Sequence, residues 1–528
     1  MSHREMRPVG REKTFFGHPR GLAVLFGTEM WERFSFYGLQ GILLTFLVAD
    51  VAQNGLGLAD TVAVPIASLY SGLVYLTALP GGWLADRILG PRRAVLIGGI
   101  VIMAGHLSMA IPIKSPAMVF FGLFLVVAGS GLLKPNISVM VGKLYDDDTD
   151  ARRDAGFSVF YMGINLGAFL GILITPYLAG DDRWHLGFGA AAVGMALGLL
   201  WYVRGWPRLT NAGIGPARPL SEAEKQKTTR ILVIALAIAA VAIAIWAWTG
   251  TLTLATVPTV VTGLSIAAAV WYFIYIFGEA KDITPAQKAG LRAYVGLFIA
   301  SVVFWMLYLQ MGSVLTAFAA NSVDLDSWGF HLPAGGVQNF NSIFILVFSP
   351  IFGVIWLKAG TRFGTAYKFA IGVFLVGFAY VFLGWLQTRA DDGLLVGLAW
   401  MAWVYLLLTF GELCVSPVGL SVTTQLAPPN LKGQMMGVWF LGPAVGTPLG
   451  GQAFAFLVPK VGEAAFFYIL AGIAILTAVV LAICSPALHR LMGRGGHGPD
   501  ATLETPPEPE FGRGPLGNGP VGRGPDRP

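Results

Sequence analysis

Fourteen long apolar segments divide this sequence, and they restrict what it can fold into more than any other feature. Each is close to or above the ~20 residues that an α-helix needs to cross ~30 Å of hydrocarbon. Inside a bilayer, only helices and closed barrels satisfy their own backbone hydrogen bonds. The segments comprise residues 22–49, 61–84, 94–112, 117–142, 155–178, 186–203, 231–249, 254–277, 293–318, 341–357, 369–387, 394–425, 433–458 and 464–484. We therefore predict an all-α polytopic membrane protein with fourteen transmembrane helices.

The composition of the chain agrees with a membrane location. Hydrophobic residues make up 55% of it and charged residues 12%, against roughly 25% charged residues in a soluble domain. The net charge of +6 follows from basic loops and does not indicate a nucleic-acid partner. Cys414 and Cys484 both lie in apolar segments, so we predict neither a disulfide framework nor a metal site, and no cofactor.

Basic residues are distributed unevenly between the loops. The first 20 residues and the loops that would share their side are basic, whereas residues 50–60 and 319–338 contain no Lys or Arg. Because Lys and Arg accumulate on the cytoplasmic side, we expect both ends of the chain in the cytoplasm and the protein in the cell inner membrane. Residues 1–20 precede a long uncleavable segment, so we predict a cytoplasmic stretch rather than a signal peptide.

A polar stretch divides the segments into two groups of six, with two further segments between them. Two six-helix bundles are the architecture in which secondary transporters bind substrate near the membrane midplane. The two extra segments are apolar on all sides, so we assign them no part in binding or proton transfer. We predict a first bundle over residues 21–203, a cytoplasmic linker over 204–230, two extra helices over 231–280, a second bundle over 281–490 and a disordered tail over 491–528.

A charged residue followed by proline recurs in the fourth segment of each bundle. Lys134 directly precedes Pro135 in "GLLKPNIS", and Glu412 lies five residues before Pro417 in "GELCVSPVGLS". Broken helices at corresponding positions of two halves point to a transporter's binding site. We therefore expect both helices to break at these prolines, close to bound substrate.

Five formal charges lie deep in the apolar segments: Glu29, Glu32, Arg33, Lys134 and Glu412. Each ionised side chain at a helix centre costs roughly 2.5–3.5 kcal/mol on insertion scales. Lys134 and Glu412 are opposite charges from different bundles, and such a pair suits a small zwitterion. Glu29, Glu32 and Arg33 are neighbours on one helix, where they either carry protons or form a polar cluster that fixes helix packing.

Several motifs carry a family resemblance that covers about residues 20–490. The stretch "TEMWERFSFYG" matches the signature Glu-x-x-Glu-Arg-Phe-x-Tyr-Tyr-Gly, and it is followed in order by "GGWLADRILGPRRA", "GLLKPNIS", "FYMGINLGAF", "WHLGFGAAAVGM", "GELCVSPVGLS" and "MMGVWFL". The sequence thus resembles the proton-dependent oligopeptide transporter family of the major facilitator superfamily. The resemblance implies the major facilitator fold and uptake of dipeptides and tripeptides driven by the proton gradient, without enzymatic activity.

The resemblance also implies roles for individual residues. Lys134 and Glu412 resemble the positions that face the carboxylate and the amine of a peptide, and Glu29, Glu32 and Arg33 resemble the proton-coupling cluster. The other candidate substrate-binding residues are Tyr37, Gln40, Tyr75, Tyr161, Asn165, Leu309, Asn341 and Trp439. Residues 81–93 resemble a cytoplasmic gate motif, in which we expect a buried Asp86 to act with Arg87. The implied partners are a short peptide, protons and the lipid bilayer, and we expect a functional monomer.

Three positions depart from the family pattern. Phe36 replaces a tyrosine, Gln40 stands where many members have arginine, and Leu309 stands where the family usually has glutamate. The usual arginine and glutamate would face each other, so their loss is interpreted as one correlated change that also deprives Lys134 of its usual partner. The same fold could therefore carry another small zwitterionic metabolite or a peptidomimetic, with atypical proton coupling or none.

Two classes of protein compete with a transporter. A polytopic membrane enzyme would need a nucleophile with a base, or a metal set, and the sequence contains no G-x-S-x-G motif and no Cys/His pair. A nutrient sensor on a transporter scaffold would bind a ligand without moving it across the membrane.

Overall fold

A computed structural model describes residues 15–112, 115–145, 150–279, 284–359, 364–427 and 432–495. Nearly all of this part of the chain is helical. The helices are α1 (Arg20–Val48), α2 (Asp60–Leu76), α3 (Ala78–Leu84), α4 (Pro91–Ala110), α5 (Pro116–Lys143), α6 (Asp150–Ala179), α7 (Trp184–Gly205), α8 (Glu222–Trp248), α9 (Thr256–Glu279), α10 (Pro285–Tyr308), α11 (Val314–Ser322), α12 (Asn339–Ala359), α13 (Thr365–Asp391), α14 (Leu398–Leu426), α15 (Lys432–Val461) and α16 (Glu463–Gly495). Two short strands, β1 (Val323–Asp324) and β2 (Val396–Gly397), pair in parallel.

The predicted all-α polytopic architecture is confirmed. Within the described residues, thirteen helical stretches are long and apolar enough to cross a membrane. In that count α2 and α3 form one stretch, Asp60–Leu89. Helix α1 is the fourteenth candidate because its 29 residues extend about 44 Å at 1.5 Å per residue, although it carries four charged residues, one of them at its first position.

The helices begin where the sequence supplies suitable first turns. Proline is the first residue of α4, α5 and α10, a position where a missing backbone N–H is not needed. Helix α8 begins with a capping box formed by Ser221 and Glu224, and α10 with one formed by Thr284 and Gln287. These local signals set the ends of the helices before any tertiary contact forms.

The expectation that helices break at Pro135 and Pro417 is wrong. Both prolines lie inside continuous helices, α5 and α14, because neighbouring helices in a membrane protein re-satisfy the backbone groups that proline frees. The interruption lies instead within the predicted segment 293–318. There the chain forms a short 3-10 turn at Leu309–Gly312 between α10 and α11.

Helix α1 lies at the centre of the first group of helices, packed between α6 and α7. Glycines 163, 167 and 171 recur every fourth residue on α6 and face the backbone or side chains of α1. A Cβ atom on Gly167 would overlap the carbonyl oxygen of Met30. Small residues at this spacing let two membrane helices approach closely, and this approach fixes the charged part of α1 inside the group.

The second group is built around α10 and α13, which pack against α15 and α16. The groups meet mainly where α2 lies along α15 and where α6 lies against α12. We propose that residues 21–203 and 281–490 act as two halves, called here the first half and the second half. The basic face is the end of the molecule that carries Arg92, and the opposite face carries the loops 49–59, 323–338 and 392–397.

The two extra helices have different surroundings. Helix α8 has no buried residue in the described structure. Helix α9 packs on α15 through Ala269, Leu441 and Val445, and Thr259 Oγ1 lies 2.9 Å from Gln452 Oε1. The extra pair therefore touches the second half through α9 alone among the larger helix contacts.

The predicted linker 204–230 folds onto the basic face and enters α8 at Glu222. The buried guanidinium of Arg92 donates to the carbonyl oxygens of Leu209, Thr210 and Ala212 at 3.2, 2.7 and 3.1 Å. Helix α16 continues to Gly495, past the predicted end of the second bundle. The rest of the predicted tail, residues 496–528, lies outside the described residues.

Candidate functional site

Three charged residues of α1 form a buried cluster. Nε of Arg33 lies 3.0 Å from Oε1 of Glu29 and 2.5 Å from Oε2 of Glu32. The three residues expose 3% or less of their surface. Two carboxylates share one guanidinium, so this cluster carries a formal charge of −1 when all three groups are ionised.

Lys134 on α5 lies next to this cluster. Its Nζ is 3.9 Å from the ring centroid of Tyr75, in a cation–π arrangement. It is also within electrostatic range of Glu29, Glu32 and Arg33, but among the described residues no carboxylate lies within 4.0 Å of it. Lys134 therefore balances the charge of the α1 cluster while its ammonium group remains without an ion-pair partner there.

Glu412 on α14 is held by a hydrogen-bond network of the second half. The hydroxyl of Tyr308 donates to Glu412 Oε2. Nδ2 of Asn341 donates to the Tyr308 hydroxyl at 3.1 Å and to Thr409 Oγ1 at 3.0 Å. Tyr308 was not a candidate from the sequence, and no local signal marks it, because its partner lies 104 residues away along the chain.

Tyrosines of the first half connect the two charged groups. Tyr37, Tyr75 and Tyr161 all lie within electrostatic range of Glu412. Tyr161 nevertheless exposes 43% of its surface, so its side chain is not fully packed. Tyr75 thus contacts Lys134 and lies within electrostatic range of Glu412, and the region between these two charged residues is called here the chamber.

Two other candidate residues, Asn165 and Trp439, have different surroundings. Asn165 is buried and donates to the backbone oxygen of Tyr161 at 3.0 Å. Trp439 exposes only 7% of its surface and packs edge-on against Trp305 and Phe369 at ring distances of 6.3 and 6.4 Å. The described contacts of Trp439 are therefore with other packed side chains, not with the chamber tyrosines.

Two of the three departures from the family pattern, Gln40 and Leu309, lie near each other at the helix break. Leu309 begins the 3-10 turn and is partly buried against the core. Gln40 packs against Gly312, three residues later. Among the described contacts, Gln40 touches the turn and not the Leu309 side chain itself.

The expected gate residues are placed differently from the sequence interpretation. Asp86 is exposed rather than buried and lies in a short π-helix, Ala85–Leu89, that directly follows α3. Arg87 pairs with Glu224 at the start of α8, with Nη2 and Oε1 2.7 Å apart. The backbone oxygens of Asp86 and Arg87 accept from the amides of Arg218 and Leu220, so this loop is tied to the linker.

A comparison of the sequence with models of protein families shows what the chain is related to. The model described as the POT family matches residues 92–465. The chain belongs to the POT family. The predicted family resemblance is therefore confirmed, and the family is one of transporters rather than of enzymes.

Relatives of this POT family member match almost its whole length. The uncharacterized transporter YclF of Bacillus subtilis (strain 168) is 42% identical over 91% of this chain and 96% of its own. A di-/tripeptide transporter of Lactococcus lactis subsp. lactis (strain IL1403) is 37% identical over 91% of this chain and 98% of its own.

Solved structures of the POT family share the fold. The crystal structure of peptide transporter POT in complex with sulfate is 41% identical, with a TM-score of 0.86, and the match covers 91% of this chain and 97% of that chain. A POT family transporter in complex with 5-aminolevulinic acid is 37% identical, with a TM-score of 0.85 and coverage of 90% and 98%. The predicted major facilitator fold is confirmed.

Proposed function

We propose that this protein imports dipeptides and tripeptides across the cell inner membrane together with protons, by alternating access. The proposal is supported by the opposite charges of Lys134 and Glu412 in the two halves, and by Tyr75, which contacts the lysine and lies within electrostatic range of the glutamate. The name of the Lactococcus lactis relative supports the substrate class.

In this mechanism Glu412 binds the peptide amine and Lys134 binds the peptide carboxylate. The Tyr308 hydroxyl bonds Oε2 of Glu412, so we expect the ammonium group to bind through Oε1. A dipeptide spans at most about 7 Å and a tripeptide about 11 Å. Tyr37 and Tyr75 lie within electrostatic range of Glu412, and we expect their hydroxyls to bond the peptide backbone.

Proton coupling is assigned to the cluster of α1. Glu29 and Glu32 share the single guanidinium of Arg33, and Lys134 balances their remaining charge. A proton taken up by the cluster therefore leaves the charge of Lys134 to be balanced by a peptide carboxylate. Lys134 lies within electrostatic range of all three groups, so binding of a peptide carboxylate to Lys134 changes the charge that the cluster experiences. We propose this as the link between substrate and proton. The chain works as a monomer in this mechanism, with both ends in the cytoplasm.

A second candidate function is transport of another small zwitterionic metabolite or peptidomimetic with atypical proton coupling or none. Leu309 and Gln40 favour it because both stand where the resemblance implies charged residues. A POT family structure also contains 5-aminolevulinic acid, which has an amine and a carboxylate but no peptide bond.

Uptake into liposomes distinguishes these candidates. The purified protein is reconstituted and supplied with radiolabelled dialanine, trialanine or 5-aminolevulinic acid, with and without an inwardly directed pH gradient. We expect the gradient to drive accumulation of both peptides. Accumulation of 5-aminolevulinic acid alone, or the same uptake without the gradient, would replace the peptide symport proposal with the second candidate. Binding without uptake of any probe would favour a sensor.

A further inference from the structure

The break between α10 and α11 brings buried polar side chains of the two halves together. Oγ of Ser68, on α2 of the first half, lies 2.9 Å from Oε1 of Gln310 and 3.0 Å from Oγ of Ser313. Ser313 Oγ in turn lies 2.8 Å from the same oxygen of Gln310. All three residues expose 1% or less of their surface. We call these residues the latch.

Gln310 connects the latch to two helices of the second half. Its Nε2 donates to the backbone oxygens of Met306 on α10 and Thr447 on α15, at 3.1 and 2.8 Å. Both hydrogens of the side-chain amide are thus used within the second half, while the amide oxygen accepts from hydroxyls at the contact between halves. Buried polar groups that are fully paired hold one arrangement, because separating them leaves unpaired groups.

The packing around the latch leaves no room for larger residues. A Cβ atom on Gly451 would lie 2.6 Å from Ser68 Oγ, and one on Gly450 would overlap Gln310 Nε2. On the other side, Gly312 lies against Gln40 of α1. Glycines of α15 and of the break therefore make the space in which the three polar side chains meet.

The latch lies toward the opposite face, where other contacts between the halves occur. Asn321 Nδ2 donates to Asp60 Oδ2 at 3.2 Å, and a Cβ atom on Gly335 would overlap the carbonyl oxygen of Gly41. Ser68 is eight residues into the helix that begins at Asp60, which corresponds to about 12 Å. The halves are thus in contact on this side of the chamber.

We propose that Gln310 is a positioning residue, which through the latch holds the opposite face closed and fixes the helix break that presents Tyr308 to Glu412. Tyr308 lies two residues before Gln310, so a change in the break moves the group that bonds the carboxylate. The latch consists of neutral side chains. Its opening during each transport cycle rests on the proposed function, whereas its closing of the opposite face does not.

The first test measures the closed face without any substrate. Spin labels are attached at Val51→Cys in the first half and Leu395→Cys in the second, which expose 63% and 67% of their surface on the opposite face. Cys414 and Cys484 are replaced by alanine so that only the introduced thiols react. Electron–electron resonance then gives the distribution of distances between the two halves in the full-length protein.

Ser68→Ala is compared with Ser71→Ala in this labelled protein. Ser71 lies on the same helix and is also buried, but among the described residues its hydroxyl bonds only the backbone oxygen of Ala67. Loss of a buried hydrogen bond between halves should raise the ratio of open to closed molecules about five- to tenfold in Ser68→Ala. Ser71→Ala should leave the ratio unchanged. Equal distributions for both variants would overturn the latch.

A second test does not depend on a destabilising substitution. Because the Oγ atoms of Ser68 and Ser313 are 3.0 Å apart, the pair Ser68→Cys and Ser313→Cys should form a disulfide under oxidation. The pair is oxidised before the spin labels are attached through thioether bonds, so that the labels react only at Val51→Cys and Leu395→Cys and survive reduction. We expect the oxidised protein to show only the short distance between the labels, and reduction to restore the original distribution. Failure to cross-link, or a cross-linked protein that still opens, contradicts the assignment. If peptides are not transported by any variant, the proposed function fails while these distances still decide the latch.

Discussion

The role of Glu412 can be tested by Glu412→Gln, which removes the negative charge and keeps the side-chain shape. The glutamine oxygen can still accept the hydrogen bond from Tyr308, so the network with Asn341 and Thr409 is retained. The substitution therefore removes the attraction for an ammonium group with little change to its surroundings. A change in peptide affinity can then be assigned to the lost charge.

The size of the effect follows from the surroundings of Glu412. A hydrogen bond that involves a charged group contributes roughly 1.5–3 kcal/mol, equivalent to about 10- to 150-fold in Kd. Glu412 is only partly buried and borders the chamber, so solvent weakens the interaction. We therefore expect the Kd of dialanine to rise about 10- to 30-fold.

Binding of dialanine and of its N-acetylated form is measured for both proteins by calorimetry or by competition. The unmodified protein should prefer the free amine, and Glu412→Gln should lose most of that preference, because the acetylated peptide cannot pair with a carboxylate. Glu222→Gln, at an exposed position at the start of α8, is the matched control and should bind like the parent. If Glu412→Gln keeps the full preference for the free amine, Glu412 does not bind the peptide amine.

Three further predictions concern other parts of the molecule. Lys134→Gln should weaken binding of peptides with a free carboxylate about tenfold, but not binding of amidated peptides; equal losses would mean that Lys134, beside Tyr75, has only a structural role. Leu309→Glu places an ionisable group at the helix break and should shift the pH of half-maximal uptake by about one unit. Superimposable pH curves would show that this position takes no part in coupling uptake to protons. Gly335→Ala should lower the free energy of unfolding by about 1–3 kcal/mol in thermal unfolding, because its Cβ would overlap the Gly41 carbonyl oxygen, whereas Gly353→Ala, with nothing within 4 Å, should not.

Much of the helical architecture could be predicted because it depends on local composition. Every predicted segment contains part of a helix, since ~20 apolar residues in a bilayer have few alternatives to a helix. The segment 293–318 shows the limit of this reasoning. Its sequence "FWMLYLQMGS" contains neither proline nor a charge, yet the helix breaks at Leu309, next to Gln310, whose side chain is bonded to α2 and α15.

Charge in an apolar segment was the most informative signal for the candidate site. An ionised group far from water is costly, so Glu29, Glu32, Arg33, Lys134 and Glu412 could be selected from the sequence alone. That reasoning cannot find neutral partners. A neutral side chain such as that of Ser68, Gln310 or Tyr308 costs little free energy to place in a membrane helix. The role of each depends on which side chain of another helix it contacts.

The sequence by itself determined the helices, their order and the residues that carry charge into the membrane, because each of these depends on a short stretch of chain. Only the tertiary structure decided that Tyr308 bonds Glu412, that Ser68 meets Gln310, and that Arg87 pairs with Glu224. These contacts join residues more than 100 positions apart. They depend on how whole helices pack, and no local pattern of residues encodes that geometry.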